Sequence, residues 1–542
     1  MSGPAGSAAV DGDAPRPGSR TTALARAGLV VSGAFLASRA LGYVRLTVTG
    51  AIFGASPQLD AFYAAFRIPD LIFQLVAAGA LGSALVPVVA GLLAHGQERH
   101  AWRVVSTVAN LMLIGLLVLA AVFWLAAPVV VPIITPGFDR AGYDLTIDLT
   151  RIMLAGPILL ALGAVASSLL NAADRFVAAS MAPIVYNVAI IAFAVALGPT
   201  LGVTALAIGV VVGSLANLVI QLPAIQRGTT YRYRPTVDVR DPTSRRVFAL
   251  MAPRALGLGA VQVTFIVNTS LASGLGTGAI VAYNFAFTLL QLPLGLVAQP
   301  LGVVLLPAMS RAVALGDRRE FGAIVDRSLR LLAYAMMLVT AVGIALHEQV
   351  VTLAFGYGRF GSDLSALALT SETLLIFLVG LPAHSLIAIQ ARAFYARQDT
   401  RTPVLAAVLA VVINVVVSVL TVGSLGLRGL ALGIALGAWA EAVVLAVVLD
   451  RRGVGPGIAA ESATWTLFAA LAGLAGLAAW AVTLAFGAAV GASPGKPLLL
   501  VEATVATLVA IAVYTAAGLA LRLEEPAALW RLGRRILPGG RA

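Results

Sequence analysis

Four arginines lie within long apolar segments of the sequence: Arg39, Arg45, Arg67 and Arg254. A cation at the centre of a lipid bilayer costs about 2.5 to 3.5 kcal/mol on insertion scales, so such a side chain needs a partner or a ligand. A guanidinium stays charged and matches phosphate oxygens bidentately. We therefore interpret these arginines as candidate substrate-binding residues, suited to holding a pyrophosphate in a wet cleft within the membrane.

The depth of each arginine separates the candidates. At about 1.5 Å of helix rise per residue, Arg39 lies about 20 Å beyond Arg26, near the middle of a membrane. Arg45 could reach an interface along its own flexible side chain, and so could Arg254, which lies about 12 Å beyond Arg246. A structural role is the alternative for each, as a buried pair for Arg39 and as an interfacial cation for the other two.

Acidic residues also occur in these segments. Asp60, Arg67 and Asp70 lie near the start of the second apolar segment, where Pro69 interrupts the helical pattern. They predict either a local ion pair at a helix break or a gate at the outer mouth of a cavity. Glu441 is the only carboxylate deep in the last helix of the second half, and such an acid is a candidate proton or cation site or the partner of a buried arginine.

Several classes of chemistry have no support. The chain has no cysteine, and its four histidines have no metal-ligand spacing. It contains neither a phosphate-binding glycine loop nor a nucleophile with a matching base. We therefore expect no cofactor, no metal site and no enzymatic activity. The net charge of +12 comes from arginines in short loops, so it does not indicate binding of nucleic acid.

The composition requires a lipid environment, because 60% of the residues are hydrophobic and 11% are charged. Stretches of roughly 20 apolar residues can span a bilayer as helices. We predict an all-α integral membrane protein with about fourteen transmembrane helices. The predicted spans are 25–53, 61–94, 104–134, 147–172, 177–198, 201–225, 247–273, 279–310, 328–347, 364–391, 403–423, 429–450, 463–488 and 498–521.

The loop charges predict the orientation. Most loop arginines fall in every second loop, which by the positive-inside rule places those loops and both termini in the cytoplasm. Residues 1–22 have no apolar stretch and are predicted to be a disordered cytoplasmic tail, and residues 523–542 a basic cytoplasmic tail. We therefore expect a multi-pass protein of a bacterial cytoplasmic membrane.

An internal repeat appears when the sequence is shifted by about 220 residues. Arg39–Gly42 has the same residues as Arg254–Gly257, and Pro87 meets Pro307. The repeat predicts two parallel six-helix lobes, residues 23–226 and 247–452, around a central cavity that alternates between the two sides of the membrane. A basic linker, 227–246, would join the lobes, and helices 13 and 14 would occupy residues 453–522.

Particular strings resemble the MurJ (MviN) family of lipid II flippases, in the multidrug/oligosaccharidyl-lipid/polysaccharide exporter superfamily. The resemblance covers residues 25–450. The strings that carry it are Ser38–Arg45, Phe53–Ala55, Asp60–Pro69, Gly79–Pro87, Pro136–Phe138, Leu170–Phe176 and Phe394–Pro403.

The resemblance implies fourteen helices, two lobes around a cationic cavity and a two-helix addition that forms a groove for a polyprenyl tail. It also implies outward movement of the undecaprenyl-pyrophosphate-linked peptidoglycan precursor, lipid II. Arg39 and Arg45 match family arginines of the first helix, and Asp60 matches an acidic residue of the second, so Asp60 is also a candidate substrate-binding residue. The expected partners are lipid II or a related polyprenyl-diphosphate glycan, membrane lipids and a monovalent cation as a candidate coupling ion at Glu441.

The chain departs from the family pattern at several positions, which makes its cavity less cationic. Leu46 replaces an acid, Phe73 and Gln74 stand where basic residues are frequent, and Thr288 stands where an arginine is frequent. A flippase for another polyprenyl-linked glycan and a cation-coupled multidrug exporter therefore stay as alternatives. A membrane-embedded sugar transferase is disfavoured, because the loops are too short for a catalytic cluster.

Overall fold

The computed structural model describes residues 17–76, 80–454, 458–490 and 495–536, and within them the chain forms helices and no strand. The N-terminal half contains α1 (Pro17–Phe53), α2 (Pro57–Ala65), α3 (Arg67–Val76), α4 (Ala80–Ala94), α5 (Glu98–Ile134), α6 (Arg140–Met153), α7 (Ala155–Ala172), α8 (Phe176–Leu201), α9 (Thr204–Val219) and α10 (Leu222–Gly228).

The C-terminal half contains α11 (Pro242–Ser273), α12 (Ala279–Pro293), a π-helical segment (Leu294–Ala298), α13 (Gln299–Ala314), α14 (Arg318–Ala345), α15 (His347–Phe355), α16 (Gly358–Ser362), α17 (Leu364–Val379), α18 (Leu381–Ala396), α19 (Arg401–Leu425) and α20 (Leu427–Arg451). Three further helices follow: α21 (Ile458–Val490), α22 (Lys496–Ala520) and α23 (Glu525–Ile536).

Ten helical stretches in the described part are long and apolar enough to cross a membrane, and the pair α17 and α18, bent by 45°, makes an eleventh. The all-α membrane fold is therefore confirmed. Helix α1, the interrupted segment α2–α4 and α11 occupy the other three predicted spans and are not among these stretches of the described part. The total of fourteen stays a prediction.

The prolines interrupt the second and eighth predicted spans as expected. Phe66 separates α2 from α3, and Pro69 lies in the first turn of α3, where its missing N–H costs no helical hydrogen bond. Helix α12 ends at Pro293, and the chain continues through the π-helical segment into α13. Segments of this kind are frequent at functional sites, because they reorient the side chains that follow.

The backbone supports the predicted duplication. A positive φ angle is uncommon outside glycine, yet it recurs at matching places in the two halves. The pairs, separated by 220 or 224 residues, are Gly96 (70°) with Gly316 (71°), Asp174 (57°) with Gln398 (60°), and Gly202 (58°) with Gly426 (57°). Helices α8 and α9 pack on each other as α19 and α20 do.

The boundaries of the tails and linker differ from the prediction. Helix α1 begins at Pro17, so residues 17–22 are helical, and residues 1–16 lie outside the described part. The connection between α10 and α11 comprises only residues 229–241. Its backbone is held against α5, where Asn110 donates hydrogen bonds to the carbonyls of Arg234 and Thr236. The linker is therefore fastened to the N-terminal half.

The chain after α22 is also ordered by contacts. Residues 525–536, predicted as part of a tail, form α23, and Arg330 of α14 makes an ion pair of 2.9 Å with the buried Glu525. Tyr334 of α14 and Tyr514 of α22 each donate a hydrogen bond to the other's carbonyl. Helices α22 and α23 are thus attached to the C-terminal half.

The polar string 394–403 forms the connection between α18 and α19. Asp399 accepts hydrogen bonds from the backbone and hydroxyl of Thr402 and from Arg452 at the end of α20. Burial alone would raise the pKa of Asp399, but the Thr402 hydrogen bonds and the Arg452 guanidinium lower it to about 2. Residues 394–403 therefore have a structural function: they hold the ends of α18, α19 and α20 together.

Candidate substrate site between the two halves

Arg39 projects from the middle of α1 toward the C-terminal half. Its guanidinium lies against Gly295 of the π-helical segment, in the space that a Cβ atom would fill at that position. The ring of Phe35 lies 5.1 Å from the guanidinium carbon. Within the described part of the chain, Arg39 makes no hydrogen bond and no ion pair, so the predicted alternative of a buried structural pair is not formed. Its charge is available to a ligand.

Arg45 lies on the other side of α1. Its guanidinium carbon is 6.0 Å from the ring centre of Tyr186 on α8, within the N-terminal half. Arg45 and Arg67 both lie within electrostatic range of Tyr63. The structure thus brings Arg45 and Arg67 to one polar region, while Arg39 faces the opposite half.

Asp60 connects the halves at their distal end, which we define as the end of the bundle where α1 and α11 finish and α2, α12 and α16 begin. Its side chain is 2% exposed and accepts hydrogen bonds from the backbone amides of Gly278 (2.5 Å) and Val281 (2.8 Å) at the start of α12. A carboxylate is favoured there, because helix N-termini carry unpaired N–H groups and positive potential.

Gly278 makes this contact possible. Its φ angle is 80°, a conformation that L side chains rarely adopt, and a Cβ there would lie 2.7 Å from the Cβ of Ala55. The close approach of α12 to the end of α1 therefore requires glycine. Asp60 was predicted as a substrate-binding residue, but the structure places it in a contact between the halves.

Arg67 also bonds across the two halves. Its Nε donates to Thr269 of α11 at 2.8 Å, and one terminal nitrogen donates to Asn284 of α12 at 2.7 Å. Asp70 accepts from Gln262 of α11 at 2.9 Å. The local ion pair considered from the sequence is not formed, because both side chains bond to the other half. Asp60, Arg67 and Asp70, with these partners, form what we call the distal latch.

The partners in the distal latch were not predicted. Gln262, Thr269 and Asn284 are polar residues within the apolar helices α11 and α12, and that pattern was the available signal. Arg392 was also missed, because it was counted with the loop arginines. It lies in α18 against Gly302 of α13 and donates to the Gln299 side chain at 3.1 Å. The side chain of Arg254, in α11, lies outside the described part.

Two cavities adjoin the π-helical segment. One, of about 320 Å³, is apolar and lies between α12, α14, α17 and α22, with Leu289, Val342 and Ile511 in its walls. The other, of about 260 Å³, lies between α11, α12, α18, α19 and α20 and contains Glu441, His384 and Asn414. Glu441 has no arginine partner among the described residues.

The bundle has two halves, a polar closure at one end, and between the halves an arginine without a hydrogen-bond or ion-pair partner among the described residues. This is the architecture of an alternating-access membrane transporter. The family model for "Lipid II flippase MurJ" matches residues 49–494. The lipid II flippase MurJ of Burkholderia cenocepacia is 34% identical over 439 residues, which are 80% of this chain and 84% of that protein. A probable lipid II flippase MurJ of Rhizobium tropici is 32% identical over 434 residues, 78% of this chain and 80% of that one.

The chain therefore belongs to the lipid II flippase MurJ family, a family of transporters and not of enzymes. The solved structure of lipid II flippase MurJ in an inward closed conformation has a TM-score of 0.75 at 20% identity and covers 91% of this chain and 99% of that one. An inward-facing multidrug resistance MATE family transporter of the MOP superfamily has a TM-score of 0.63 at 16% identity, with 76% and 94% covered. These two likenesses concern the fold.

Proposed function

We propose that this protein moves lipid II from the cytoplasmic to the outer leaflet of a bacterial cytoplasmic membrane by alternating access. The observation that carries the proposal is the guanidinium of Arg39, which faces Gly295 between the two halves of the bundle and has no hydrogen-bond or ion-pair partner in the described part of the chain. A cation at the depth of the bilayer centre is costly without a partner, so its retention favours an anionic ligand. The diphosphate of a polyprenyl-linked precursor supplies that charge, and family membership supports the choice.

Each part of the substrate has a proposed place. Arg39 and Arg45 bind the diphosphate, with Arg254 as a further candidate, while the sugars and peptide occupy the space between the halves. The polyprenyl tail stays in an apolar environment beside α21 and α22. The apolar cavity lined by Leu289 and Ile511 supports this placement, because it lies between α22 and α12, the helix that leads into the π-helical segment.

The transport cycle requires the distal latch to open and close. Asp60 and Arg67 hold the halves together at the distal end, so this conformation corresponds to a transporter closed on that side. We place the distal end at the outer face, with both termini in the cytoplasm, in agreement with the loop arginines. Opening of the latch then exposes Arg39 to the outer face. A monovalent cation that binds near Glu441 is the proposed source of coupling.

Complementation tests the proposal. A strain depleted of its own lipid II flippase should grow when it expresses this protein, and Arg39→Ala should abolish growth at equal protein level. Arg428→Ala is the matched control, since Arg428 is 52% exposed and pairs with Glu372 away from the cavity. Growth with Arg39→Ala equal to that of the unaltered protein would contradict the assigned role of Arg39.

A flippase for another polyprenyl-linked glycan is the second candidate. It is favoured by Phe73, Gln74 and Thr288, which leave the site with fewer cations than is frequent in the family. The complementation experiment separates the two candidates. Failure of the well-expressed protein to restore growth, with rescue of a strain that lacks export of a different lipid-linked glycan, would favour the second.

A further inference from the structure

Two arginines line one cavity at the end of the N-terminal half that lies opposite the distal end. Arg175 is the residue before α8, and Arg227 lies in the last turn of α10. The cavity has a volume of about 220 Å³ and is completed by Pro223, Ala224 and Gly228. Neither guanidinium makes a hydrogen bond or an ion pair with another described residue. The described wall of this cavity therefore carries two positive charges and no carboxylate.

The internal repeat shows which group is missing. In the C-terminal half, the backbone N–H of Asp399 donates to the Phe394 carbonyl in the turn before α19. In the N-terminal half, 224 residues earlier, the backbone N–H of Arg175 donates to the Leu170 carbonyl in the turn before α8. The two turns are therefore equivalent. Asp399 accepts a hydrogen bond of 2.7 Å from Arg452 at the end of α20, but an arginine stands in place of this acid in the N-terminal half. An ion pair of one half is thus replaced by two cations in the other.

The carboxylate of Asp399 also caps its helix. It accepts hydrogen bonds from the backbone amides of Arg401 and Thr402 in the first turn of α19. Arg175 has no acceptor atom in its side chain and makes no such bond at the start of α8. Its side chain turns instead toward α10, where its Nε lies 3.3 Å from the position of a Cβ atom on Gly228. An anion in the cavity takes the place of the missing carboxylate and accepts hydrogen bonds from both guanidinium groups.

The chemistry of the two cations indicates a phosphate group. A guanidinium fork matches phosphate oxygens bidentately, and two forks around one cavity suit a group with a full negative charge. A second cavity of about 420 Å³ adjoins the first, since Arg227 lines both, and it has apolar walls at Leu93 and Trp102. Glu98 also lines the second cavity and accepts a hydrogen bond from Thr230. Its charge directs the phosphate to the first cavity and the uncharged part of a ligand to the second.

The two cavities lie at the end of the bundle that we place in the cytoplasm. Helix α8 begins beside them and runs to the distal end, where a Cβ atom on Gly198 would lie 3.0 Å from Phe53 at the end of α1. The loop arginines place the end where α8 begins on the cytoplasmic side. The cytoplasmic leaflet presents anionic phospholipid headgroups at this level, and the adjoining solution contains soluble phosphate compounds. Both sources supply the same group.

We propose that Arg175 and Arg227 form a phosphate-binding site, filled by the headgroup of an anionic phospholipid or by a soluble phosphate compound. Bound phosphate joins the start of α8 to the end of α10, as the Asp399 carboxylate joins the start of α19 to the end of α20. The ligand therefore completes in the N-terminal half a contact that the C-terminal half makes with its own side chains. Neither Arg39 nor the distal latch takes part, so the site does not depend on the proposed transport of lipid II.

Binding by the purified protein tests the site with two probes that separate the sources. Inorganic phosphate, added to phosphatidylcholine nanodiscs at constant ionic strength, should raise the midpoint of thermal unfolding if the site takes a soluble compound. Native mass spectrometry in equal amounts of phosphatidylglycerol and phosphatidylcholine should show selective retention of phosphatidylglycerol if the site takes a lipid. A response to neither probe overturns the proposal, and a response to one identifies the source.

Substitutions separate this site from general surface charge. Arg227→Gln should weaken binding of the responding probe about tenfold or more, because it removes charged hydrogen bonds to the ligand. Arg175→Asp introduces the acid that the C-terminal half has at Asp399. It should abolish binding and raise the thermal midpoint in the absence of both probes, through an ion pair with Arg227. Arg319→Gln is the matched control, because Arg319 is an exposed arginine of α14, and it should bind as the unaltered protein does. Unaltered affinity in Arg227→Gln or Arg175→Asp, or equal weakening by Arg319→Gln, would overturn the proposal.

Discussion

Removal of the Asp60 carboxylate should open the distal end of the bundle. Asp60 accepts two hydrogen bonds from the backbone of α12, at Gly278 and Val281, and these contacts join the two halves. Asp60→Ala leaves both amides unpaired while the distal end is closed. In an open conformation, water can satisfy them. The substitution therefore destabilises the closed conformation relative to the open one.

The magnitude follows from these two contacts. Loss of an N-cap costs about 0.5 to 2 kcal/mol, and a hydrogen bond to a charged group contributes about 1.5 to 3 kcal/mol. Because the cost of burying the carboxylate offsets part of this stabilisation, we expect the free-energy difference between the closed and open conformations to shift by about 1.5 to 2.5 kcal/mol toward the open one. Since 1.4 kcal/mol corresponds to a factor of ten, the open population should rise roughly 10- to 60-fold.

Thiol labelling measures this population, because the chain has no cysteine of its own. Ala282 of α12 is 0% exposed, so Ala282→Cys introduces a thiol that a polar reagent can reach only when the distal end opens. In the Asp60→Ala background, the labelling rate should increase by the factor given above. Asp60→Asn, which keeps an acceptor oxygen, should give an intermediate rate.

A second aspartate serves as the control. Asp139 caps α6 by accepting a hydrogen bond of 2.8 Å from the Gly142 amide, entirely within the N-terminal half. Asp139→Ala removes a cap of the same type without breaking a contact between the halves. The reasoning is refuted if Asp60→Ala labels at the parental rate, or if Asp139→Ala accelerates labelling equally.

Two further predictions concern Arg39 and the Asp399 connection. Gly295→Ala places a methyl group where the Arg39 guanidinium lies, so it should reduce lipid II movement at least about tenfold. Gly423→Ala is the control, because Gly423 of α19 has open space around its Cα and the substitution should leave lipid II movement unchanged. Equal activity of the two variants would argue against the contact between Arg39 and Gly295. Because the folded-state pKa of Asp399 is lowered to about 2, its ionised form stabilises the fold above pH 4, and this contribution is lost as the pH falls toward 2. Asp399→Asn weakens the ion pair with Arg452, so it should lower the midpoint of thermal unfolding at pH 7 and lower it less near pH 3. If the midpoints of the variant and the unaltered protein differ by the same amount at both pH values, the charge of Asp399 is not the source of the stabilisation.

The sequence predicted features that depend on composition and local pattern. Long apolar stretches predicted the helices, prolines such as Pro69 and Pro293 predicted the interruptions, and the 220-residue repeat agrees with the paired backbone angles at Gly96 and Gly316. The depth of Arg39 predicted that it would need a ligand or a partner. These inferences require only neighbouring residues and the dimensions of a bilayer.

The contacts between the halves could not be predicted in this way. Asp60 binds backbone amides more than 200 residues away, and backbone donors have no signature in side-chain types. Arg67 donates hydrogen bonds to Thr269 and Asn284 and not to the nearby Asp70, because the halves approach each other at that point. That approach depends on the relative position of the two halves, which hydropathy does not specify.

The role of Arg39 in moving lipid II is the central claim, and transport by purified protein tests it most directly. Proteoliposomes should expose lipid II at the opposite leaflet with the unaltered protein and with the control Arg428→Ala. With Arg39→Ala, exposure should fall to the level of protein-free vesicles, since the variant loses the guanidinium that lies against Gly295. Exposure at the unaltered rate with Arg39→Ala would contradict the account.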